Sequence, residues 1–215
     1  YIADAGALRR LNEMVDAWGQ WDDFYPGSQD ATTWKGDIVS FHSGTNNLAF
    51  FYNPDMFTEA GLNEPPVTWN DLLMYAEKLT QGDRYGLAVS AVNTEELPWQ
   101  LKPFLWTNGG DMMSLDKPES IEALQLWVTL IENGWMSRDV VNWGQGDVTA
   151  QYKAKKAAMM VMGPWEIPGL QADDYSFEII TTPTPEPGMI PKVAMGGETW
   201  GISPHIDDQK AQVCF

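Results

Sequence analysis

Residues 157–162, AAMMVM, form an unbroken apolar run that stops at Gly163, turns at Pro164 and presents Trp165 beside Glu166. A run of this length bounded by Gly and Pro is either a strand buried on both faces of a parallel sheet or a buried helical segment, and periodicity alone does not separate the two. Pro164 suits the first turn of a following helix, because its ring presets φ and its missing N–H would have been an orphan donor there. Read this way, Trp165 stands just past the carboxyl end of a strand, the edge at which open α/β sheets bind ligands. The alternative is a core tryptophan beneath a helix cap.

Around this run the pattern alternates. Leu8, Leu11, Met14, Val15 and Trp18 recur at helical spacing and predict a helix over 3–18, stopped by Gly19. Polar, turn-rich sequence follows to Lys35, and strands are expected at 37–41, 47–52, 85–90, 177–181 and 193–195. Pro54 opens a short helix closed by Gly61. Thr68 with Asp71 three residues on is a capping signal, Asp replacing the usual Glu, for a helix whose buried face is Leu72, Leu73, Ala76 and Leu79. Thr94 caps a helix running through Trp99 and Trp106 to Asn108, and Gly109-Gly110 stops it. A further helix over 118–133 places Ile121, Leu124, Trp127, Val128 and Ile131 on one face; Asp147 opens another through Tyr152, and Asp207 enters a last one. Trp69 and Trp127 read as packing residues. Alternating strands and helices argue for βαβ units and a mostly parallel sheet.

Composition narrows the partners. With 30 acidic against 13 basic residues the net charge is −17, which argues against nucleic acid and anionic lipid, since both recruit basic patches. The chain's 215 residues suffice for one or two domains. The single cysteine, Cys214, gives no internal disulfide and by itself no structural zinc site. No apolar stretch reaches the roughly 18 residues of a spanning helix. The start at Tyr1 without Met and the end within an expected helix are read as those of a fragment.

No nucleotide-binding loop, zinc-protease or calcium-loop motif is complete in the sequence. Gly144-Gln145-Gly146 begins a dinucleotide-binding pattern, but Thr149 stands where the third glycine belongs. His42 and His205, the two histidines, have no Cys or carboxylate at metal spacing, so no metal and no cofactor is expected. A glycosidase needs two facing carboxylates, and Asp111, Glu166 and Glu198 are available for that role. Each also has a plain structural reading: a loop acid, a first-turn helix carboxylate and a polar loop residue.

The segment FYNPDMFTEAGLNEPPVTWNDLLMYAEKLT, 51–80, resembles the signature of extracellular solute-binding proteins of bacterial ABC sugar transporters, the maltose-binding-protein-like group. Later pieces follow in that family's order: WTNGGD at 106–111, the helix from Pro118, YKAKKAAMMVMGPW at 152–165 and GGETWGISP at 196–204. The upstream DAGALRRL resembles the piece before the first crossover. Phe41, where the family often has proline, and Glu198 depart from the pattern.

The resemblance implies an α/β, type II periplasmic-binding-protein-like fold with two lobes and hinge crossovers. Residues 1–46 would belong to a partial first lobe, 47–196 to a nearly complete second lobe, and 197–215 to the hinge and the return into the first. Carried over by position, Trp165 stacks on the ligand ring, Trp99 is a second cleft aromatic, Asn46 stands at the first crossover, and Glu198 and Trp200 stand at the second. Glu166 and Asp111 complete the candidate ligand-binding set. A neutral mono- or oligosaccharide suits such a set, since flat aromatics take its C–H face and polar groups its hydroxyls. The implied protein is a monomer outside the cytoplasm, periplasmic or lipid-anchored, that delivers sugar to ABC permease subunits. A glycoside-processing enzyme using Glu166 with Asp111 or Glu198, and a ligand-sensing module docking on a signalling partner, are the alternatives.

Overall fold

A computed structural model describes residues 2–207 and 210, so the helix expected from Asp207 onward, with Cys214, lies largely outside the described residues. The chain divides into two compact units, residues 1–46 with 195–215, and residues 47–194.

The first unit is built of short elements. Helix α1 (Asn12–Trp18) is followed by α2 (Pro26–Thr32), β1 (Thr33–Trp34), β2 (Asp37–Ile38) and β3 (Phe41–His42). The helix predicted over 3–18 forms only in its second half. Gly6 adopts φ +70°, and the N–H groups of Arg9 and Leu11 donate to the distant carbonyls of Ile202 and Ile38, so those donors are tied across the unit and the helix starts only past Leu11. Leu11, Val15, Ile38 and Ile202 form its small core. The turn-rich segment 19–35 holds α2, started by Pro26 at its first turn, and the strand expected at 37–41 breaks into β2 and β3.

The second unit carries the main sheet. It comprises β4 (Ala49–Tyr52), α3 (Pro54–Glu59), α4 (Trp69–Leu79), β5 (Tyr85–Ala88), α5 (Glu96–Thr107), α6 (Pro118–Glu132), α7 (Gln145–Lys153), β6 (Ala157–Met162), α8 (Ile167–Ala172) and β7 (Glu178–Ile180). The last strand, β8 (Thr199–Trp200), returns to the first unit and pairs with β3. No strand forms at 193–195; a single bridge between Asn46 and Gly196 stands near it.

The sheet order is β5-β6-β4-β7, with β5 parallel to β6 and β4 antiparallel to both β6 and β7. A mixed sheet therefore replaces the mostly parallel one expected. The central apolar run is β6, and all six of its residues are buried. Met159 and Val161 enter one core with Leu72, Ala76 and Leu79 of α4, Leu101 and Phe104 of α5, and Leu126 and Leu130 of α6. Met160 and Met162 enter a second core with Val148 and Tyr152 of α7 and Leu170 of α8. Burial of each such side chain is worth about 1.5–3 kcal/mol, so a strand apolar on both faces is the natural midline of a three-layer unit.

Helix α6 is rotated from its expected pose. Ser120, Ala123, Leu126, Trp127 and Leu130 face inward, while Ile121 and Val128 are 52% and 41% exposed. Small residues set this face: a Cβ on Gly110 would meet Ser120 Oγ at 2.8 Å, so the approach admits Ser and Ala where Ile would not fit. Trp69 and Trp127 are buried packing residues, and Trp69 Nε1 donates to the Pro183 carbonyl at 3.1 Å.

Candidate functional site

The parallel strands β5 and β6 both end at one edge of the second unit's sheet. Their register runs to Ala88 opposite Met160, and beyond it the backbones separate. Gln100, fully buried on α5, bridges the separation: Ser90 N–H donates to its Oε1 at 2.9 Å and its Nε2 donates to the Val161 carbonyl at 3.0 Å. The side-chain amide thus replaces a backbone ladder where the sheet opens, leaving neither strand end with an orphaned group there.

A second network fastens the same edge. Ser90 Oγ lies 2.8 Å from both Glu96 Oε2 and the Trp143 carbonyl, and the amide of Gln145 donates to Glu96 Oε2 at 2.7 Å. Glu96 thereby satisfies an N-terminal N–H of α7, where a negative charge also meets the favourable end of the helix dipole. Asp147 Oδ2 accepts from Gly144 N–H at 2.9 Å. Helix α7 accordingly begins two residues before the expected Asp147. Trp143 packs against both cores.

Past β6, the 3₁₀ turn Pro164–Glu166 carries Trp165, whose indole is 39% exposed although the strand before it is wholly buried. The ring folds back over Gly163: a Cβ there would lie 2.0 Å from indole Cζ3 and 2.1 Å from Cη2. Glu166 follows, half-buried, at the start of α8. Trp99, half-buried on α5 beside Gln100, packs on the first core, and Lys102 Nζ stands 5.8 Å from its ring centre and 5.5 Å from that of Trp106. Part of the Trp99 face is therefore occupied by an ammonium group.

The remaining candidates lie elsewhere. Asp111 is exposed in the loop between α5 and α6, where its Oδ1 accepts from Met113 N–H at 2.9 Å and its own N–H donates to Ser120 Oγ at 3.1 Å. Its carboxylate is engaged in shaping that loop. In the first unit, Asn46 exchanges backbone hydrogen bonds with Gly196 at 3.1 and 2.8 Å. The Glu198 carbonyl accepts from Ser43 N–H at 3.0 Å and from Ser43 Oγ at 3.2 Å, and Trp200, opposite Phe41, is 66% exposed.

Within the second unit the structure attaches Trp99, Trp165 and Glu166 to the opened edge of the sheet and sets Asp111 apart in its loop. Gln100, Glu96 and Trp143 are edge residues that local pattern did not single out. For Gln100 the available signal was a polar residue on the apolar stripe of Leu97, Leu101 and Phe104. A cavity of about 360 Å³ flanks β7, lined by Leu48, Ala49, Ile180, Thr182, Pro191 and Val193; neither Trp99 nor Trp165 lines it. Among the described residues no group of three or more His, Cys, Asp or Glu could hold a metal ion, and no helix is long and apolar enough to cross a membrane.

The layered α/β architecture is shared with known proteins. Residues 1–214 match the bacterial extracellular solute-binding proteins, and the chain belongs to that family. A Brucella abortus (strain 2308) relative, named as a binding protein, is 27% identical over 125 residues, which are 54% of this chain and 30% of the relative. An ABC transporter solute-binding protein of Thermotoga lettingae TMO bound with alpha-D-tagatose matches with a TM-score of 0.87 at 25% identity, over 99% of this chain and 57% of that one. Maltose-bound MalE3 of T. maritima matches with a TM-score of 0.86 at 23% identity, over 97% of this chain and 56% of that one. The fold is that of the type II periplasmic binding proteins, and this chain spans little more than half the length of these structural relatives. Family membership places it among extracellular proteins.

Proposed function

We propose that the chain forms part of a carbohydrate receptor of an ABC importer, a non-catalytic protein that binds a neutral saccharide. In this reading residues 47–196 make the second lobe, residues 1–46 part of the first, and 197–215 the hinge and return. Trp165 stacks on the sugar ring, Trp99 offers a second aromatic edge, and Glu166 accepts from a hydroxyl. Asn46, Glu198 and Trp200 of the crossover segments, with Asp111, complete the candidate set.

The observation that carries this reading is the exposed indole of Trp165 at the carboxyl end of a strand with every residue buried. The solvent-accessible part of an aromatic ring at that edge is open to a ligand, and the C–H face of a sugar ring fits such a surface. The tagatose-bound relative supports the ligand class. Closure of two lobes on sugar would create the surface that a permease distinguishes.

Calorimetric titration of the full-length protein with D-tagatose, maltose and longer neutral saccharides tests the site. Trp165→Ala should weaken binding at least tenfold, about 1.4 kcal/mol, with unfolding unchanged. Chromatography of the bound sugar after prolonged incubation should return it intact. Equal affinity in the variant would remove Trp165 from the site, and product formation would replace the receptor by a glycoside-processing enzyme.

A further inference from the structure

We infer that Gly163 is a positioning residue that sets the plane of the Trp165 indole; the consequence for ligand binding rests on the receptor reading above. Gly163 has φ −105° and ψ 174°, extended backbone open to any residue, so conformational freedom does not explain a glycine here. Space does. The three atoms nearest to a Cβ at this position all belong to the indole, with Cζ3 at 2.0 Å, Cη2 at 2.1 Å and Cε3 at 2.5 Å.

The six-membered ring of Trp165 therefore occupies the volume that any side chain on residue 163 would claim. It lies against the backbone at the end of β6, and Trp165 as a whole stays 39% exposed. A stacking surface works when its plane is set before the ligand arrives, because ordering it on binding would cost side-chain entropy. With a methyl at residue 163 the backbone keeps its course, since β6 is clamped between two cores, and the half-exposed indole is the group that yields.

The test uses the full-length protein labelled with 5-fluorotryptophan, the Trp165 ¹⁹F resonance being assigned by its loss in Trp165→Phe. In Gly163→Ala this resonance should move and gain solvent sensitivity while those of the other tryptophans hold. Maltose and D-tagatose, titrated in parallel, should bind Gly163→Ala at least fivefold more weakly than wild type. An unmoved Trp165 resonance would overturn the inference, as would a moved resonance with unchanged affinity where Trp165→Ala weakens binding.

If the resonance moves but neither variant changes affinity, or neither sugar binds wild type, the receptor reading of Trp165 fails and the support of the ring by Gly163 stands. Should Gly163→Ala fail to fold, the double variant Gly163→Ala/Trp165→Ala decides. It should melt with Trp165→Ala alone, because the ring whose atoms lie nearest to the added methyl has been removed. A double variant that also fails to fold would contradict the inference.

Discussion

Gln100 shows how one side chain can bridge two strands that part. Two parallel strands that part need partners for the backbone groups they leave, and an unpaired buried group costs about 1–3 kcal/mol. Gln100 supplies an acceptor to Ser90 N–H and a donor to the Val161 carbonyl while itself fully buried. Replacing it by the near-isosteric Leu strands both groups, so Gln100→Leu should lose about 2–4 kcal/mol of stability in urea unfolding at an unchanged m value. A loss below about 1 kcal/mol would show that the edge closes up without it. At this scale the sequence was partly readable. The placement of Trp165 just past β6 was legible because a Gly-Pro turn follows an apolar run, a wholly local signal. Glu96 and Trp143 were not, because their partners Ser90 and Gln145 are brought to them by the fold.

At the scale of elements, local chemistry and packing can be separated. Helix α4 was legible because its signal lies within four residues: Asp71 N–H donates to Thr68 Oγ1 at 3.1 Å, and Thr68 N–H donates to Asp71 Oδ2 at 2.9 Å. Burial alone would raise the Asp71 carboxyl, but hydrogen bonds from Thr68 N–H, Thr68 Oγ1 and Val67 N–H outweigh it and hold its pKa below the ordinary value. A depressed folded pKa gives stability that is present above the unfolded pKa, roughly 3.9, and is lost as pH falls through the folded value. Asp71→Asn should therefore cost about 0.5–2 kcal/mol at pH 7, with the gap to wild type closing below about pH 4 in denaturant titrations run at each pH. A gap independent of pH would mean that the carboxylate charge plays no part. The same helix lies directly on the sheet: a Cβ on Gly86 would come within 2.4 Å of Ala76 Cα and O, both backbone. Nothing flexible can yield there, so Gly86→Ala should destabilise by about 3 kcal/mol or more, or abolish folding, where Gly146→Ala, with open space, should be mild. The half-formed α1 marks the limit of periodicity, because the N–H groups of Arg9 and Leu11 are claimed by Ile202 and Ile38, far along the chain.

For the whole molecule, pattern conveyed the layers but not the pairing. A strand apolar on both faces implies two covering layers whether its neighbours run parallel or antiparallel, so the α/β class was legible and the order β5-β6-β4-β7 was not. The pairing of β4 with β6 joins residues more than 100 positions apart, as in Tyr52 opposite Met159, and no local property of either strand specifies it. The charge of −17 acts at this scale as well, since it repels anions at long range. The most direct measurement is thermal unfolding of the full-length protein with and without neutral mono- and oligosaccharides, D-tagatose and maltose among them, beside phosphorylated and cationic controls. A saccharide at about 100 times its Kd should add about 2.7 kcal/mol of stability, a clear rise in melting temperature, while the controls leave it unchanged. No shift with any saccharide, or a shift confined to a charged control, would contradict the carbohydrate-receptor account.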